Sequence, residues 1–417
     1  MENKKVMNRG LVVLGAILIQ LALGAIYAWS VFTPSLVKAD WTKQDTQWIF
    51  AVGLVSFAII MVYAGKKIGT WGPQRLSLIG GILLGLGYLL AGLVGGTNFW
   101  LLLILIGLVG GAGIGFAYVV PIAVGMRWFP DKKGMITGLA VAGFGFGAML
   151  WVKLADTWGN LIANFGLSST FMIYGIAFAL MVVIGALWMK FPPAEWKPAG
   201  FEAKQASAVQ AKDVQEFTSN EMLGKIQFYL IFLTFVFSAG AGLMSIGLMK
   251  LYPMEALQNA GMSAVQASAV AGTAMAVFFS LANGLGRIIW GLVSDKLGRK
   301  NSIIIMTATQ GILVILFTYM AGTEILLYLG AALIGFNFGG NFALFPTITA
   351  DTFGAKNVGQ NYPFVFLAYG VGGILGPILG GKMGDLGNFA LAFTISGIAV
   401  LIGTILILIV RPATKKS

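Results

Sequence analysis

The chain has no cysteine and no histidine. The first absence excludes disulfides, thiol nucleophiles and cysteine-ligated metals. The second removes the commonest metal ligand and the side chain that most readily shuttles protons near neutral pH. Charge is scarce too: Asp, Glu, Lys and Arg make up 10% of the 417 residues, where soluble globular chains carry about 25%. No nucleophile–base pair or metal constellation is visible, so neither enzyme activity nor a cofactor or metal is expected. "GGAGIG" contains a G-x-G, but it lies inside a long apolar run with no strand before it. It carries no nucleotide-binding signal, and ATP-driven transport has no support.

What is abundant is apolar. Hydrophobic residues reach 58%, and the 58 glycines suit close helix packing in lipid. Twelve apolar runs of spanning length lie near 10–36, 46–65, 76–96, 99–126, 135–155, 168–190, 226–250, 263–291, 302–322, 325–350, 360–381 and 388–410. The first is too long for a signal-peptide core and no small-residue cleavage site stands out, so it reads as an uncleaved membrane helix. One break, 191–225, is longer than the others and divides the runs six and six. The expected organisation is an all-α integral membrane protein: a six-helix bundle over 1–190, a linker over 191–225 and a second bundle over 226–417.

The net charge of +12 resembles a nucleic-acid signal until the charges are placed. They fall in the loops, and most lie on the side that carries both termini and the linker. The other side holds only Lys38, Lys43, Lys153, Lys250 and Lys382. This asymmetry puts both termini in the cytoplasm and leaves the bilayer, not nucleic acid, as the partner. The halves also echo each other. Gly65 and Gly72 around "GKKIGTWGPQR" recur as Gly291 and Gly298 in "GLVSDKLGRK", and Gly115 and Pro121 recur as Gly340 and Pro346, each pair with its spacing kept. Repeated six-helix halves are the layout of a secondary transporter, with the substrate near the bilayer midplane between them.

One residue breaks the apolar pattern. Arg287 lies eight residues before Asp295, roughly 12 Å up a helix, and a charge at mid-bilayer costs about 2.5–3.5 kcal/mol on insertion scales. No Asp or Glu sits in the interior of any of the twelve runs, so an internal ion pair has no obvious acid. The guanidinium fork matches a carboxylate in two parallel hydrogen bonds, and an anionic substrate would supply the missing counter-charge. Asn283, one turn earlier on the same face, could hydrogen-bond that substrate or orient the arginine. Lys153, near the end of its run, reads as a cation snorkelling to the outer surface, with Asp156 three residues on as a pairing partner. Its functional alternative is an anion-attracting group at the outer mouth.

The layout and the G-x-x-x-D-x-x-G-R-K sequence at 291–300 resemble the major facilitator superfamily. More narrowly, "LALGAIYAWSVF", "RWFPDKKG", "NGLGRIIWGLVSDK", "NFGGNFALFPT" and "GQNYPFVFLAYG" resemble the oxalate/formate antiporter family, related to the monocarboxylate transporters. The copy of the 291–300 motif in the first half, "GKKIGTWGPQR", departs from the pattern, since it lacks the acid that Asp295 supplies in the second. The resemblance implies that Arg287 binds substrate. At Asn283, related monocarboxylate carriers have an aspartate used in proton coupling. At Tyr369, oxalate-transporting members have a lysine. Phe144, Phe338 and Phe342 replace aromatic residues that carry polar atoms, whereas Tyr27, Trp29 and Tyr118 keep the aromatic character. Phe366, in the run of Tyr369, completes the candidate site. One cation in a phenylalanine-rich pocket suits a single carboxylate with a short alkyl tail, because each buried CH₂ gains about 0.8 kcal/mol.

The expected function is therefore proton-coupled symport of a small monocarboxylate such as lactate or pyruvate, by a monomer in the bacterial inner membrane. Oxalate/formate exchange is the alternative. The proton could ride on Asp156, Glu255 or Asp385, or travel with the substrate as the neutral acid. A sensor signalling through the linker would need a partner motif, and none is seen.

Overall fold

Twelve helices are long and apolar enough to cross a membrane: α1 Arg9–Val31, α2 Lys43–Trp71, α3 Pro73–Leu93, α4 Phe99–Gly125, α5 Gly138–Ala155, α6 Leu161–Ala186, α7 Ile226–Leu248, α8 Ala264–Leu297, α9 Arg299–Met320, α10 Glu324–Phe353, α11 Asn361–Asp385 and α12 Phe389–Ile409. The computed structural model describes residues 7–129, 133–193, 196, 215–354, 357–411 and 413, and among these there is no strand. Most of the 191–225 linker, the centre of "RWFPDKKG" and the basic residues at both termini other than Arg9 and Arg411 lie outside the described residues. Successive spans alternate in direction, which defines a linker side and a far side.

Each apolar run finds its helix, but the ends differ from the runs. α2 and α8 both continue past their apolar stretch and stop at a glycine in nearly the same conformation, Gly72 at φ 81°, ψ 151° and Gly298 at φ 83°, ψ 151°. The apolar pattern ends where a helix leaves hydrocarbon; the helix itself ends where a residue takes up positive φ, which glycine does at no steric cost. The sequence echo between the halves is thus also an echo in the backbone. Four spans are not regular α-helix throughout: α6 is broken at Gly166, at φ 74°, ψ 177°, and three others change their winding. α1 tightens to 3₁₀ over Gly24–Val31, and α4 and α8 widen to π over Leu103–Gly110 and Ala274–Phe279.

Within the first six helices, α3 packs on α6, α2 on α4 and α1 on α5. Within the last six, α7 packs on α11, α8 on α10 and α9 on α12. Two seams join the sets, α2 against α11 and α5 against α8. The six-helix repeat interchanges these two seams. On the α8–α10 side the backbones nearly touch: a Cβ at Gly339 would stand 2.1 Å from the Asn283 carbonyl oxygen. Behind this contact, the Ser238 hydroxyl lies 2.7 Å from Gln310 Oε1 and 2.8 Å from Asn341 Oδ1, Gln310 donates to the Ser238 carbonyl, and Asn341 donates to the Phe338 carbonyl. A buried network of this kind ties α7, α9 and α10 together behind the wall that carries Phe338 and Phe342. Gly339→Ala is expected to push α8 and α10 apart and cost about 1–3 kcal/mol, read as a lower unfolding temperature in detergent together with weaker substrate binding.

Candidate functional site

α8 carries Arg287 to the point where both sets of helices meet, and its side chain is wholly buried. Nε donates to Asn283 Oδ1 at 3.1 Å, and Nη1 donates across the α5–α8 seam to the Val141 carbonyl at 2.9 Å. Among the described residues the remaining amine, Nη2, makes no well-formed hydrogen bond, and neither does the Asn283 amide nitrogen, Nδ2, although the Tyr27 and Tyr118 hydroxyls stand close to the guanidinium. Leaving a buried donor unpaired costs about 1–3 kcal/mol, more when it is charged. No carboxylate among the described residues forms an ion pair with Arg287. Two rings stand in part for it: the guanidinium carbon lies 4.0 Å from the Phe342 ring centre and 5.5 Å from that of Phe144.

The rings around this fork form a continuous cage. Tyr27 meets Phe144 at 5.0 Å and Phe338 at 5.6 Å, Tyr118 meets Phe144 at 5.3 Å, and Phe342 meets Tyr369 at 5.6 Å. Phe366 stacks on Tyr369 at 4.9 Å and on Tyr118 at 5.9 Å. The Tyr369 hydroxyl donates to that of Tyr27 at 3.0 Å, a hydrogen bond from the last six helices to the first six. Edge-to-face and offset stacking of this kind adds about 0.5–1.5 kcal/mol per pair beyond burial. The cage excludes water and leaves two donors, Arg287 Nη2 and Asn283 Nδ2, inside it.

Nine of the ten candidate residues are therefore brought together. Trp29 is not: its ring nitrogen donates to the Thr46 carbonyl at 2.8 Å, and the ring lines a small apolar cavity with Phe50 and Tyr88 inside the first six helices. Two parts of the site are not foreshadowed by residue type. Phe57 of α2 is the hub of the cage, 4.9 Å from Tyr118, 5.4 Å from Phe366 and 5.7 Å from Tyr369. Nothing marks it in an apolar run except its helix, which the repeat pairs with that of Arg287. The Val141 acceptor is a backbone atom, which residue types do not reveal.

The far side differs from expectation at Lys153. It is only 7% exposed and donates to the Thr273 hydroxyl at 3.2 Å. Asp156 pairs instead with Lys250, at 2.6 Å, across the α5–α8 side of the boundary. Packing by the opposite helices keeps Lys153 from reaching the surface. Glu255 pairs with Lys43 at 3.0 Å, and Asp385 accepts the backbone N–H groups of Lys43 and Gln44. All three candidate proton-carrying acids thus join the first six helices to the last six. Burial lowers the pKa of Lys250, and the Asp156 carboxylate opposes that shift.

On the linker side, Arg299 pairs with Asp295 at 2.6 Å and reaches Asp351 of α10 at 3.6 Å. In the first copy, where the acid is missing, the cations sit on rings: Lys66 lies 5.5 Å from Phe364 of α11, and Lys67 lies 5.8 Å from Trp71. Among the described residues no group of three or more acids, histidines or cysteines could hold a metal ion.

The Major Facilitator Superfamily profile matches residues 12–278 and 230–417. The chain is 31% identical to the uncharacterized MFS-type transporter YhjX of Escherichia coli (strain K12), over 88% of this chain and 86% of that protein. It is 27% identical to the oxalate:formate antiporter of Oxalobacter formigenes, over 96% and 90%. It is 24% identical to the apicoplast pyruvate carrier 1 of Toxoplasma gondii, over 80% and 68%. With twelve apolar spans, an internal six-helix repeat and a profile match along nearly its whole length, this multi-pass membrane protein belongs to the major facilitator superfamily.

Proposed function

We propose that the protein is a secondary carrier of small monocarboxylates, lactate or pyruvate in kind, that works by alternating access. The observation that carries this reading is the pair of buried donors without a well-formed hydrogen bond, Arg287 Nη2 and Asn283 Nδ2, inside a cage of aromatic rings. A carboxylate would satisfy both and neutralise the guanidinium, and a methyl or short alkyl tail would lie against Phe338, Phe342 and Phe144. Residues 1–190 and 226–417 would rock as two bundles joined by the 191–225 linker, with both termini in the cytoplasm and the protein, as a monomer, in the bacterial inner membrane. Transport would be coupled to an inward proton. Membership of a transporter family supports a carrier and gives no support to an enzyme. The similarity to a pyruvate carrier supports the substrate class.

Purified protein in liposomes should take up labelled lactate several-fold faster with an acidic exterior than without a proton gradient. Uptake indifferent to that gradient removes symport and leaves the carboxylate reading standing. A second reading, oxalate/formate exchange, is favoured by the similarity to the oxalate:formate antiporter. Against it stands a cage with one cation, where a dicarboxylate needs two. Oxalate-loaded vesicles that drive formate uptake would make exchange the better reading.

A further inference from the structure

The far-side cluster holds two lysines and one carboxylate, and the count leaves one cation over. Lys153 and Asp156 belong to the end of α5. Lys250 follows α7, and Ser268 and Thr273 lie on α8. Lys250 Nζ donates to Asp156 Oδ2 at 2.6 Å and to the Ser268 carbonyl at 2.7 Å, while among the described residues Lys153 donates only to the Thr273 hydroxyl and feels the same Asp156 carboxylate without bonding it. Lys250 is 4% exposed and Lys153 is 7% exposed, so the surplus charge is not simply solvated. The space is kept open for this contact: a Cβ on Gly272 would stand 2.6 Å from Asp156 Oδ2 and 2.9 Å from Lys250 Nζ.

When the two sets of helices part on this side, the cluster must divide. Asp156 leaves with Lys153, three residues away on the same helix end and within pairing reach. Lys250 is then the cation without a carboxylate, and it faces the widening mouth. We propose that Lys250 is the first docking point of the substrate carboxylate, and that Asp156 is the counter-ion that displaces the substrate from it as the far side closes. The hand-off rests on the carboxylate reading of the central site. It gives the ion pair a direction: closing returns Asp156 to Lys250 and releases the anion at the head of a path whose next cation is Arg287.

The test is equilibrium binding and uptake of labelled lactate by the full-length protein. Asp156→Asn removes the competitor, so lactate should bind about tenfold tighter and turn over about tenfold more slowly. Adding Lys250→Gln should abolish the gain in affinity. A mere latch predicts no tightening, so affinity in Asp156→Asn equal to or weaker than native, or a gain that survives Lys250→Gln, overturns the proposal. Should Asp156→Asn fold poorly, Lys250→Gln alone decides: KM for uptake from the far side should rise about tenfold with maximal rate little changed. A KM unaltered overturns the proposal. The same pair of changes in an Arg287→Lys background separates the two readings. Tightened binding that persists there, and depends on Lys250, upholds the outer site independently of the central one. If native protein binds no lactate, pyruvate or oxalate, the central reading fails and the hand-off falls with it.

Discussion

Arg287→Lys is expected to reduce lactate uptake at least about a hundredfold while the protein still folds. The lysine keeps the positive charge and its attraction to the Phe342 face but loses the planar fork. Its single ammonium cannot reach Asn283, the Val141 carbonyl and the carboxylate from the three positions that Nε, Nη1 and Nη2 occupy. Each charge-assisted hydrogen bond lost is worth about 1.5–3 kcal/mol, and two such losses amount to a hundredfold or more. The check has two parts: uptake into liposomes, and stabilisation of the detergent-solubilised protein by lactate, which should disappear. If uptake survives, the guanidinium serves as a strut between α5 and α8, and the carboxylate must be sought elsewhere in the ring cage.

Tyr369→Lys should change which anion the protein prefers. The residue lies beside Phe342, the ring that covers the Arg287 guanidinium, and its hydroxyl bonds Tyr27. A lysine here would place a second cation in the same dry cage, where like charges repel and an unpaired ammonium costs several kcal/mol. The empty variant should unfold at lower temperature than the native protein. Oxalate, with two carboxylates, should restore stability by mass action, whereas lactate should not. Lactate uptake should fall at least about tenfold, in line with the loss of one to two kcal/mol of fit. If oxalate stabilises the native protein and the variant equally, charge number in the cage does not set selectivity.

How far the sequence alone reaches depends on the kind of information a position carries. The spans are legible because bilayer thickness sets a length and lipid sets a composition. Arg287 and Asn283 are legible because a polar residue in hydrocarbon needs a reason. Tyr118, Phe144, Phe338, Phe342, Phe366 and Tyr369 are picked out through the resemblance, and they converge because α4, α5, α10 and α11 bring them to the same rings around Arg287. Phe57 is silent in the sequence, since a phenylalanine in an apolar run is the default and only the seam between α2 and α11 makes it a hub. Lys153 is buried rather than snorkelling because depth along a single helix does not register what closes over that helix end, and here the cover comes from α8. Trp29 falls outside the cage for a geometric reason. Trp29 is two residues from Tyr27, about 240° round the 3₁₀ segment and about 200° round an α-helix, so with Tyr27 in the cage the Trp29 ring leaves α1 on another face. The resemblance that proposed Trp29 carries its residue type and not this direction.

The same segment also has a length. A 3₁₀ helix rises about 2.0 Å per residue and an α-helix about 1.5 Å, so the eight residues from Gly24 to Val31 make α1 about 4 Å longer than a regular helix of the same sequence. Tyr27, which bonds Tyr369, sits inside this stretched portion, while Gln20, which donates to the Tyr118 carbonyl, sits in the regular portion before it. Winding the segment back to α would draw the far-side end of α1 inward by those few ångströms, a stroke comparable in size to a small carboxylate itself.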